Sequence, residues 1–107
     1  MSDEERKFPR LASHLSVLVR RMEQDGREEL AQTRSIALGG CSFVTGEEIA
    51  KGALLELLIA VDQEVIRAEA RAVYQRTLAD GRRETGVQFM GLDGAAMRHI
   101  GNLLERG

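Results

Sequence analysis

ALLELLIAVDQEVIRAEARAVYQR, residues 53–76, can be read in two ways. Ala, Leu and Glu dominate it, and all three favour helices. Ile66, Ala70, Val73 and Tyr74 would then form one apolar stripe. The same residues also alternate. Leu55, Leu57, Ile59 and Val61 recur at every second position, as do Ile66, Ala68, Ala70, Ala72 and Tyr74 against Arg67, Glu69 and Arg71. A period of two describes two strands joined at Asp62-Gln63-Glu64. Propensity and periodicity disagree, and the stretch taken alone leaves both readings open.

The flanks are easier. Leu15, Val17 and Val19 alternate with Ser16, Leu18 and Arg20, a short strand with one apolar face. Asp25-Gly26 is a turn signal, and an apolar segment resumes over Leu30–Leu38. Gly39-Gly40 marks a tight turn or a position needing positive φ. Cys41–Thr45 reads as another strand closed by Gly46, and Gly52 opens the 53–76 stretch. Asp80-Gly81 signals a turn before a last strand, Thr85–Phe89. After Gly91 the period changes to 3.6. Leu92, Ala96, Ile100, Leu103 and Leu104 share one face, with Asp93 as candidate N-cap. Short strands followed by one amphipathic helix describe a small antiparallel barrel or sandwich closed by that helix.

Composition bounds the function. The chain has 107 residues, one Cys, one Pro and a net charge of −2. That length suits one domain. A lone Cys cannot form an internal disulfide and fits a reducing compartment. Asp3-Glu4-Glu5 stands where a signal peptide would be basic, and no apolar run approaches the ~20 residues of a membrane span. The expectation is a cytoplasmic domain without a membrane span. The charge argues against a polymeric nucleic acid as partner but leaves a small anionic ligand open. His14 and His99 lie far apart without companion ligands, and Cys41 sits in an apolar strand, so neither a metal site nor a nucleophile is expected. Gly39-Gly40 lacks the Lys-Ser or Lys-Thr of a phosphate loop. No acid–base constellation suggests an enzyme, and no cofactor is expected.

One feature stands above this background. Residues 1–10 are charged and end in Phe8-Pro9-Arg10, and Pro9 disfavours a helix start. This extended arm carries Arg6 and Arg10. Arginine forks grip phosphates and the guanine O6/N7 edge. The order Arg6…Arg10, Ser35-Ile36-Ala37-Leu38-Gly39-Gly40-Cys41, Gly52, Val73-Tyr74 and Gly86-Val87-Gln88-Phe89 resembles the PilZ domain family, over about residues 5–104. The resemblance implies a mainly β fold, a six-stranded antiparallel β-barrel with a C-terminal α-helix. It thereby implies two strands within residues 53–76. The implied division is an arm over residues 1–11, a barrel over 12–91 and a helix over 92–106, all in one domain.

The resemblance also implies a bacterial signalling module that binds cyclic di-GMP and acts through a protein partner. Arg6 and Arg10 would clamp guanine and phosphate. A second motif, Asp or Asn-x-Ser-x-x-Gly, would line the facing barrel surface. Here its positions are Ser35, Ala37 and Gly40, so only the glycine is kept. Ser35 lacks the acceptor of Asp or Asn, and Ala37 lacks a hydroxyl. Each missing hydrogen bond costs ~0.5–1.5 kcal/mol, more if a ligand group is left buried and unpaired. Weakened affinity is therefore expected, about one to three decades. The alternative is an adaptor that has lost the ligand and works only through protein contacts.

Overall fold

In the computed structural model, which describes residues 11–23 and 26–106, the 53–76 stretch is a hairpin. Its strands are β5 (Leu54–Val61) and β6 (Glu64–Thr77), joined by Asp62 and Gln63. Both connecting residues have positive φ, 52° and 70°, which matches the right-handed twist of flanking strands in a two-residue turn. Periodicity prevails over propensity because of what lies inside. Leu55, Leu57 and Ile59 oppose Ala70, Ala68 and Ile66, and all six are buried. At two of these three pairs a leucine faces an alanine, the large-against-small packing that the interior of a narrow barrel favours. Arg67, Glu69 and Arg71 all point outward to solvent.

The remaining strands are β1 (Leu11–Ala12), β2 (Ser16–Arg21), β3 (Glu28–Ala37), β4 (Gly40–Thr45) and β7 (Arg83–Gly91). Every pairing is antiparallel, in the order β1-β3-β2-β5-β6-β7-β4, and a further β3–β4 pairing closes the sheet. The ring β2-β3-β4-β7-β6-β5 is the six-stranded barrel that the family resemblance implies, and closure leaves none of its long strands with an unpaired edge. The short β1 continues β2 along β3, with a break at Ser13–Leu15. Thr33, fully buried, bridges that break. Its hydroxyl bonds Ser13 Oγ at 2.7 Å and accepts from the Leu15 amide at 2.9 Å. Polar groups stranded by the break are thus satisfied internally.

The helix α1 (Gly94–Arg106) closes the barrel interior. Asp93 caps it: its carboxylate accepts the Ala96 amide at 2.8 Å. The expected apolar stripe starting at Leu92 is realised with the helix beginning two residues later. Ala96 and Ile100 are buried, and Leu103 and Leu104 pack against the same core. Arg106, in the last turn, pairs with Asp62 of the β5–β6 turn, a cation placed where the helix dipole favours one. Among the described residues, no helix is long and apolar enough to cross a membrane.

Candidate functional site

Ser35, Ala37 and Gly40 lie at the β3–β4 hairpin. Strict alternation from the buried Ala31 and Thr33 would turn Ser35 into the core. A β-bulge prevents this. Thr33 faces Phe43 and Ser35 faces Ser42, so Arg34 is an extra residue on β3. The bulge shifts the phase, sending Ile36 inward and Ser35 outward. A bulge depends on which residue faces which across two strands, and no local pattern in residues 28–37 announces it.

The outer face of β3, β4, β7 and β6 then reads as rows. Gln32, Val44, Glu84 and Arg76 form one; Ser35, Ser42, Gly86 and Tyr74 the next; Ala37, Gly40, Gln88 and Arg71 the third. Small residues make its middle a shallow floor. Ser35 Oγ and Ser42 Oγ are hydrogen-bonded at 2.9 Å. Ala37 is buried, so it presents little side-chain surface. At Gly86 an added Cβ would lie 1.9 Å from the Tyr74 ring, so this glycine gives the aromatic its place across the strand pair.

Gly40 has a steric role. Of the two readings of the Gly39-Gly40 pair, the tight turn holds: Leu38 and Gly39 join β3 to β4, and neither glycine is in the left-handed region. A Cβ on Gly40 would instead sit 2.0 Å from the Val87 carbonyl oxygen. The close approach of β4 to β7 requires the glycine, and the Phe89 amide bonds the Gly39 carbonyl at 2.9 Å beside it.

Arginines flank the floor. Glu84, 8% exposed in its side chain, accepts from Arg76 Nε at 3.0 Å, Arg76 Nη2 at 2.7 Å and Tyr74 Oη at 3.1 Å. Burial alone would push its carboxyl up. The hydrogen bonds from Arg76 and Tyr74, with the charges of Arg76 and Arg34, outweigh burial and hold it below the usual glutamate value. Arg34 Nη1 lies 3.5 Å from the same carboxylate. Next to Arg34 opens a groove of about 600 Å³, with His14, Gln32, Arg34 and Arg82 as polar lining and Leu30 and Leu78 as apolar walls. That size is ordinary for a small-molecule site. Sequence reasoning missed Arg34, Arg76 and Glu84; only the strand register gathers them.

Arg6 and Arg10 lie outside the described residues. What is described is the strand that follows them. Leu11 pairs with Ile36 and Ala12 with Ser35. Among the described residues, no group of three or more His, Cys, Asp or Glu side chains could hold a metal ion.

A PilZ domain family model matches residues 4–106. The chain belongs to the PilZ domain family. Solved structures agree with this PilZ fold. The inhibitor of motility MotI/DgrA of Bacillus subtilis superposes with a TM-score of 0.80 at 19% identity, over 94% of this chain and 49% of that one. MrkH of K. pneumonia, in complex with c-di-GMP, gives 0.72 at 19%, over 92% and 50%. The PilZ domain of YcgR from Escherichia coli, with c-di-GMP, gives 0.73 at 11%, over 94% and 88%. At these identities the likeness speaks for the fold. This PilZ chain spans about half the length of MotI/DgrA and MrkH. No curated protein sequence matches it.

Proposed function

We propose that this PilZ domain binds cyclic di-GMP with weakened affinity and passes the signal on by contact with a protein partner. Arg6 and Arg10 would clamp the dinucleotide against the floor formed by Ser35, Ala37 and Gly40. The observation that carries this reading is the β1 register: Leu11, directly after the arginine pair, is paired with Ile36 in the middle of the second motif. Two segments more than 20 residues apart in the chain are thus paired strands, which supports an arm that starts beside the second motif. The cytoplasm is the compartment this reading requires, and catalysis has no part in it.

Calorimetric titration of the whole chain with cyclic di-GMP tests it. Heat of binding should be measurable at micromolar concentrations, and Arg6→Ala with Arg10→Ala should abolish it. Ser35→Asp with Ala37→Ser should raise affinity about ten- to a thousandfold. Most of that gain should come from Ser35→Asp, because Ala37 is 4% exposed whereas Ser35 is half-buried. A wild-type chain giving no heat at high micromolar concentration, unchanged by the restoring pair, would eliminate ligand binding and leave the adaptor.

A further inference from the structure

We propose that Arg34 is an additional ligand-gripping residue of this site, donating to a phosphate oxygen of the dinucleotide. The inference rests on the cyclic di-GMP reading above. It starts from the bulge. Arg34 is the residue that the bulge adds to β3, immediately before Ser35, and bulges re-aim side chains at functional surfaces. Its guanidinium lies on the outer face, 48% exposed in its side chain, and lines the groove that also holds His14, Gln32 and Arg82.

Its partnering points the same way. The Glu84 carboxylate already accepts two hydrogen bonds from Arg76 and one from Tyr74. Arg34 reaches it only at 3.5 Å, an ion-pair distance beyond good hydrogen-bond geometry. Arg76 and Tyr74 supply the hydrogen bonds to the glutamate, so Arg34 acts on it through charge alone and keeps its donors. A phosphate arriving over the Ser35–Ser42 floor would find a cation held nearby, with donors to spare and little to break. A charge-assisted contact of this kind contributes more than a neutral hydrogen bond. It would offset part of what Ser35 and Ala37 fail to supply.

The test is calorimetric titration of the full chain with cyclic di-GMP, on wild type, Arg34→Ala, Arg34→Lys and Arg98→Ala. Arg98 is exposed on α1 and controls for loss of one positive charge. Arg34→Ala should weaken binding at least about tenfold. Arg34→Lys should recover a good part of the loss, since a phosphate accepts from a point charge as well as from a fork. Arg98→Ala should stay within about twofold, because screening leaves an exposed charge little effect beyond direct contact. Melting temperature should move by less than about 3 °C in Arg34→Ala, because the arginine is half exposed and makes no hydrogen bond to Glu84, which Arg76 still holds. Wild-type binding with Arg34→Ala unchanged would overturn the assignment of Arg34 alone. Equal losses in Ala and Lys variants would overturn its phosphate contact. No binding by wild type would overturn the cyclic di-GMP reading and this inference with it.

Discussion

Replacing Gly40 by Ala should destabilise the barrel severely, while the same change at Gly39 should be almost silent. At Gly40 the new methyl would lie 2.0 Å from the Val87 carbonyl oxygen, 3.1 Å from its carbon and 3.3 Å from Gln88 Cα. All three are backbone atoms, so no side chain can swing aside. Contacts under 3.0 Å do not occur for real Cβ atoms, so β4 and β7 must part by at least 1.0 Å at this point. Overpacking of this kind costs ~1–3 kcal/mol. The neighbouring bond from the Phe89 amide to the Gly39 carbonyl, now 2.9 Å, would stretch out of range and add ~0.5–1.5 kcal/mol. The sum, about 2–4 kcal/mol, is a large share of the ~5–15 kcal/mol that holds a domain folded. It corresponds to a fall in melting temperature on the order of 10–20 °C. Gly39 has no atom within 4 Å of its Cβ position and no positive φ, so Gly39→Ala should stay within about 0.5 kcal/mol. Urea unfolding followed by circular dichroism measures both. A Gly40→Ala chain as stable as wild type, or a Gly39→Ala chain equally damaged, would refute the steric account.

Acid should weaken the Glu84 cluster. Its folded pKa lies below the ordinary glutamate value, so its stabilisation is full above that value and is lost as pH falls through the folded pKa. Glu84→Gln should therefore cost on the order of 1–2 kcal/mol at pH 7, and the gap to wild type should close in strong acid; a gap independent of pH between 7 and 2 would contradict this. Asp93→Ala removes the cap on the Ala96 amide and should cost ~0.5–2 kcal/mol by thermal melting, with Asp93→Asn nearly neutral. Equal losses in the two variants would mean that charge, not the cap hydrogen bond, matters there.

Much of the architecture was legible along the chain. Val17 and Val19, the odd positions of residues 55–61 and the even positions of residues 66–72 point inward as their spacing says, because burial on one face of a strand imposes a period of two. Asp93, Ala96 and Ile100 likewise cap and bury the helix as read. The candidate site was less legible. Ser35 and Gly40 could be named and the tight turn foreseen, yet the constraint on Gly40 comes from a carbonyl 47 residues away rather than from its own φ. Arg34, Arg76 and Glu84 gave no signal, because charged residues on strands are usually just the solvated face.

Local chemistry, then, is written in the order of residues: alternation, turn residues, a cap, an amphipathic stripe, and the motif pieces that mark a PilZ domain. These depend on neighbours within a few positions, and a single chain displays them. Tertiary structure decided what depends on register between distant strands. It closed β3 on β4, inserted the bulge that turns Ser35 outward and frees Arg34, and seated Tyr74 over Gly86. It also chose strands over helix for residues 53–76. An alanine row is worth more facing Leu55 and Leu57 across a barrel than its intrinsic helix preference, a few tenths of a kcal/mol per residue, can oppose.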